Sequence, residues 1–290
     1  MKRIDRPSPL SPTRRSLMAG AGALGLYLAV PAIASATDAA KTAMPPETES
    51  WTALKSDVFG DRPLLDGTGI LDIGAPYRAE DAAIVPITLD FTLPPGDTRR
   101  IARITLVIDE NPAPVAAVFT LGEAAGVSHI ETRVRINAYS HVHAVAEASD
   151  GSLYVVARYV KAAGGCSAPA GKDQALARAE MGKMRFRSFA PAEATSGPEE
   201  AQLMIRHPNN SGLQKDQVTL NYIPAHFIDE VTISQGSDMI LKMEGGISIS
   251  EDPNFRFAYV PNGAETVSVS ASDTDGNVFT AEWPRASSEG

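Results

Sequence analysis

The sequence predicts an all-β protein of two antiparallel β-sandwiches joined by a linker. Three observations predict it. Short runs of alternating apolar and polar residues recur along the chain, separated by Gly, Pro, Asn and Asp turn residues. The same pattern stands on both sides of a stretch at 190–200 rich in Pro, Ala, Ser, Glu and Gly, which has the composition of a linker. Helical spacing is confined to two short segments, 51–60 and 175–183.

The elements follow in order. Trp51, Leu54 and Val58 recur at helical spacing and predict a short amphipathic helix at the entrance of the first sandwich. Strands are expected over 84–93, 101–108, 115–121, 129–138, 141–147 and 153–160. In the first of these Ile87, Leu89, Phe91 and Leu93 share one face, as a period of two requires. Turns are expected at 94–97, 109–112 and 149–151. Beyond the linker, strands are expected over 201–206, 228–234, 239–243, 254–259, 266–271 and 278–283. The turns between them fall at 235–237, 261–263 and 273–277.

Residues 1–36 have the composition of a targeting segment. Lys2, Arg3 and Arg6 precede Arg14 and Arg15, a Gly/Ala-diluted apolar run follows over 17–33, and Ala34-Ser35-Ala36 offers a cleavage site. Paired arginines before so weakly apolar a run resemble a twin-arginine signal, which exports folded cargo. The expectation is a periplasmic protein with no membrane attachment after cleavage; an uncleaved anchor is the alternative. Five of the chain's 26 basic residues and one of its 35 acidic residues lie in 1–36, so the remainder carries a net charge of −13. Such a surface argues against nucleic acid and anionic membrane as partners.

Cys166 is the single cysteine of the 290 residues. An unpaired thiol in an exported protein has no intramolecular disulfide partner, so it is either inert or used. Gly164 and Gly165 on one side, and Ser167, Ala168 and Pro169 on the other, predict an exposed, pliant arm over 161–173. The alternative is a small buried hydrophobe. Lys161, Lys172 and the start of the 175–183 helix are candidate groups to favour the thiolate. His141 and His143, two apart on one strand, with His129 or Cys166 added, would suit copper or zinc; this is the competing reading, a metal-binding or metal-delivery protein. His207 and His226 are expected as satisfied interface or turn histidines. A third reading is an interaction module with an incidental thiol. Serine-hydrolase, zincin, phosphate-loop and Cys-x-x-Cys signatures are missing from the sequence, so no catalytic residues and no cofactor are assigned.

The Gly164-Gly165-Cys166 segment resembles the thiol-bearing arm of the sulfur-oxidation carrier subunit SoxY, with Ser167 and Ala168 where that family continues in glycine. Residues 205–213, 223–228 and 252–257, with their His207-Pro208 and Pro224-Ala225-His226-Phe227 elements, resemble its partner SoxZ. Both in one chain resemble the fused SoxYZ-like carriers associated with quinoprotein dehydrogenases. The resemblance implies immunoglobulin-like sandwiches, SoxY-like over 37–189 and SoxZ-like over 201–290. It implies a non-enzymatic carrier that holds a sulfur species or other thiol-reactive intermediate on Cys166, with Gly164, Gly165, Ser167 and Gly171 forming the arm. The implied partners are periplasmic enzymes, either sulfur-oxidation components or a quinoprotein dehydrogenase.

Overall fold

A computed structural model of the chain describes residues 44–169, 174–189 and 197–285. The targeting segment 1–36, arm residues Gly171 and Lys172, and linker positions 190–196 lie outside the described residues. The chain opens with helix α1 (Glu49–Phe59) and strands β1 (Leu64–Asp66), β2 (Leu71–Gly74), β3 (Val85–Phe91) and β4 (Ile101–Ile108). Next come β5 (Val115–Leu121), β6 (His129–Val134), β7 (Ser140–Ala148) and β8 (Leu153–Val160). Helix α2 (Gln174–Glu180) leads to β9 (Met184–Phe189), β10 (Glu199–Ile205), β11 (Ile228–Gln235) and β12 (Asp238–Gly245). Strands β13 (Asn254–Tyr259), β14 (Thr266–Asp273) and β15 (Val278–Pro284) complete it.

These strands make two immunoglobulin-like sandwiches, the sandwiches being what the pattern predicts and the immunoglobulin-like form what the resemblance implies, and the two share their sheets. A nine-stranded sheet has the order β1-β8-β7-β4-β5-β12-β11-β14-β15, and a six-stranded sheet the order β2-β3-β6-β13-β10-β9. The halves join edge to edge in both. Strand β5 pairs with β12, setting Phe119 opposite Met243, and β6 pairs with β13, setting Ile130 opposite Phe257. Edge pairing of this kind satisfies backbone groups that two separate sandwiches would leave open. Among the described residues, every pairing between these strands is antiparallel except that of β1 with β8.

The hydrophobic core runs between the sheets through both halves, with Ile104, Phe119, Leu203, Phe255 and Phe257 buried in one cluster. Phe119 meets Phe255 edge-on at 6.3 Å, a contact that ties the halves together. Strands β4, β7 and β8 are buried on both faces over much of their length, because α1 covers their outer side. Trp51 of α1 packs there with Val107, Val145, Leu153 and Val155. That helix starts where the Thr48 side chain accepts the Trp51 N–H and stops at Gly60, whose φ is 65°.

Three strands escape the sequence reading. Strands β1 and β2 span only three and four residues, too short for a period to show. Strand β9 does alternate (Met184, Phe186 against Arg185, Arg187), yet it sits beside the linker composition and is masked by it. It pairs with β10 of the second half.

Candidate functional site

Cys166 follows β8 in a turn at the junction of the two halves. The Ser167 N–H donates to the Gly164 carbonyl at 3.2 Å, closing the turn. The first half holds one side of it. Gly164 N–H donates to Asn137 O at 2.8 Å and Gly165 N–H to Ile136 O at 3.0 Å. Upstream, Lys161 N–H donates to Tyr77 O at 2.7 Å. The second half holds the other side: the Ser211 hydroxyl donates to the Cys166 carbonyl, and Gln214 Nε2 donates to Ala168 O at 3.0 Å. Gln214 is itself fixed, since its Oε1 accepts the Ser211 N–H at 3.0 Å.

The thiol is therefore closed in, with a relative exposure of 0 %. This corrects the expectation of a pliant arm standing clear of the body. The physical reason lies in the two glycines. A Cβ on Gly165 would lie 2.0 Å from Ala82 O and 2.8 Å from Ile136 O, so glycine is there for close backbone approach. Gly164 has φ +81°, a conformation that side chains rarely adopt, and it turns the chain into that slot. Gly165 is thus a packing glycine, whereas Gly164 has open space around it and serves its positive φ.

Beneath the turn lies Arg135, only 2 % exposed. Its Nη1 donates to Ile249 O at 2.5 Å, while its Nε is buried without a partner. Asn111 stitches this region across the junction. Its Nδ2 donates to Arg135 O at 2.7 Å and to Ser248 Oγ at 2.9 Å, and its Oδ1 accepts the Asn137 N–H at 2.8 Å. Burial pushes the Cys166 thiol up to about 11, and the attraction of Arg135 offsets only part of that. Burial also lowers the Arg135 pKa, against the pull of Cys166 and Glu251. A thiol near 11 leaves on the order of 10⁻⁴ of the molecules as thiolate at pH 7, about 300-fold fewer than a free cysteine of pKa about 8.5. In this state the site is a closed thiol beside a stored cation. Lys161, expected as an activator, instead lies over the Tyr77 ring at 4.7 Å.

The competing metal residues are not brought together. His143 is buried, with Nε2 at 2.9 Å from Asp109 Oδ1 and its ring stacked on Trp51 at 3.7 Å. His141 packs on Tyr159 at 5.0 Å, 6.0 Å from the His143 ring. His129 faces Asp90 and Glu131 on the six-stranded sheet, and Cys166 joins none of them.

A different cluster forms instead. His207, His226 and Asp273 place their ligand atoms within 4.8 Å of one another. The Asn209 N–H donates to His207 Nδ1 at 3.1 Å, which fixes the ring proton on Nε2, facing Asp273. A metal on Nε2 would need that proton moved to Nδ1, where an amide N–H already points. The residues do not fit a metal. They fit an anchor: His226 Nε2 meets Asp273 Oδ2 at 2.8 Å, and Asn277 Nδ2 donates to the same oxygen at 2.8 Å. Burial pushes the Asp273 carboxyl up, but the hydrogen bonds from Asn277 and His226 outweigh it and hold it at about 2. So the expectation for His207 and His226 as satisfied structural histidines agrees with their contacts. Sequence reasoning missed Arg135 and Gln214; a charged residue inside the apolar run 134–136 was the available signal for the first.

Two immunoglobulin-like modules that close on a single cysteine at their junction define a two-module thiol protein. Residues 55–166 match the family model of the sulfur oxidation protein SoxY, ending on Cys166, and residues 187–284 match that of the sulphur oxidation protein SoxZ. The chain is a fused SoxYZ-like protein, with the two family domains in tandem. Among solved structures it is similar to the sulfur carrier protein SoxY from Chlorobium limicola f thiosulfatophilum, at 24 % identity and TM-score 0.31, covering 39 % of this chain and 94 % of that one. It is also similar to a superoxide reductase (neelaredoxin) from Ignicoccus hospitalis, at 11 % identity and TM-score 0.29, covering 32 % and 78 %. No curated protein sequence matches the chain.

Proposed function

We propose that this protein is a non-enzymatic carrier that holds a sulfur species covalently on Cys166 and passes it between partner enzymes. The observation that carries the reading is the position of Cys166, the last residue of the SoxY match, gripped by Ser211 and Gln214 of the SoxZ-like half. Closure protects the thiol between loadings, and reaction requires the turn to lift from its slot. Transfer of a sulfane sulfur from a donor persulfide balances without an external oxidant. The Cys166 sulfur attacks the outer sulfur of the donor, the donor S–S bond breaks, and the donor leaves as a thiolate that takes up the proton Cys166 releases. In the docked state the charge of Arg135 favours the thiolate, by less than burial disfavours it. The location belongs to the same reading: the Arg14-Arg15 segment exports the folded chain to the periplasm, where sulfur-oxidation enzymes are the partners. A quinoprotein dehydrogenase as a loading partner rests on resemblance alone.

Replacing Cys166 by serine tests the reading. Host cells carrying Cys166→Ser should lose sulfur-compound oxidation, while the purified variant keeps a melting temperature within a few degrees of wild type. Full activity with the serine would overturn it.

A further inference from the structure

The grip on the arm comes from one hairpin of the second half, and the far end of that hairpin is unusual. Its base is fixed by paired bonds between Asn210 and His226, at 2.8 and 3.0 Å, and by His226 on Asp273. Farther out, the Ile223 N–H donates to Gln214 O at 2.8 Å and the Asp216 N–H to Asn221 O at 2.9 Å. The Asp216 side chain caps the tip by accepting the N–H groups of Val218 and Thr219 at 3.1 and 2.7 Å. This well-bonded tip presents apolar side chains to solvent: Val218 is 90 % exposed, Leu220 69 % and Tyr222 63 %. Leu220 also holds φ +60°, a left-handed conformation that leucine rarely adopts. Three exposed apolar side chains within five residues of a strained turn are the kind of feature that interaction surfaces show.

We propose that Val218, Leu220 and Tyr222 are the docking surface for the enzyme that loads Cys166, a protein presenting an apolar groove. The inference rests on the carrier reading and adds the place where the partner sits. Its occupant follows from the chain path. Ser211 and Gln214, which hold the arm, are the root of the hairpin whose tip is Val218. From Gln214 to Val218 four residues of extended chain reach about 13 Å. An ordinary interface covers about 800 Å² per partner, a disc of roughly 16 Å radius, so a body seated on the tip reaches the arm. Tyrosine is also enriched among the anchor residues of interfaces. Lys215, whose Nζ lies 5.0 Å from the Tyr222 ring centre, suits an acidic group on the rim of that groove.

The test is the fraction of the full chain carrying a mass adduct on Cys166 when isolated from its native host. Wild type is compared with Val218→Asp, with Leu220→Gly, which keeps the backbone turn, and with Val278→Asp, an exposed apolar site on β15 as control. Both tip variants should show at least a tenfold loss of adduct, with melting temperatures and small-reagent labelling of Cys166 unchanged, and the control should match wild type. Adduct levels equal to wild type in the tip variants would overturn the docking site alone. A tip-dependent self-association of the pure chain in sedimentation would overturn it in favour of a second copy. Wild type without any adduct would overturn the carrier reading, and this one with it.

Discussion

Replacing Ser211 by alanine loosens the closed thiol without touching sulfur. The Ser211 hydroxyl donates to the Cys166 carbonyl and accepts the Leu213 N–H at 3.2 Å. Losing it removes a bond and leaves a buried carbonyl without a donor, which costs about 1–2 kcal/mol. That cost falls on the docked turn and leaves the sandwich core intact, so it raises the population of the open turn by roughly 5–30-fold. When reclosing outpaces labelling, the rate of reaction with a bulky thiol reagent follows that population. Native labelling of Ser211→Ala should therefore be about 5–30 times faster than wild type at pH 8, with global unfolding by denaturant changed far less. Two results would refute the reasoning. One is wild-type labelling as fast as unfolded chain, which would mean the turn is not closed. The other is a labelling rate in Ser211→Ala equal to wild type, which would mean Ser211 is not part of the latch.

Further outcomes follow from the same geometry. Gly165→Ala places a Cβ 2.0 Å from Ala82 O, so the docked turn should lose roughly 3 kcal/mol and Cys166 should label about 150-fold faster. The Cys166 thiol is raised in the folded state, so its contribution is complete below about 8.5 and is lost as pH rises towards about 11. Denaturation of wild type against Cys166→Ser should show this as a stability difference that shifts by up to about 3 kcal/mol across that window. Asp273 behaves in the opposite sense: its carboxyl is held at about 2, so its contribution is present above pH 4 and lost as pH falls to 2. An Asp273→Asn variant should lack that acid-sensitive step in a pH series of unfolding curves. Trp51→Ala should cost about 3–5 kcal/mol by calorimetry, since it empties the space above His143 and Val145.

Much of the fold was legible because most strands bury one face. Strands β4, β5, β8 and β13 keep the bounds that alternation and turn residues assign to them. What periodicity lacks is any sign of which edges meet, so the joining of β5 to β12 and β6 to β13 stayed hidden behind a linker composition. The site was half legible. A lone cysteine among small residues drew attention to a position that lies at the junction of the halves, but Gly164-Gly165 reads equally as freedom or as close approach. The Ala82 and Ile136 carbonyls that decide between them are distant in sequence. Gln214 was invisible for the same reason, and Arg135 showed only as a charge within an apolar run: their roles arise where the halves meet.

The most direct test is the intact mass of the mature chain taken from its native compartment under sulfur-oxidising conditions. Wild-type protein should carry a sulfur-containing adduct that maps to the Cys166 peptide and disappears on reduction. Protein whose Cys166 is unmodified under every growth condition, with oxidation of sulfur compounds intact, would contradict the carrier role.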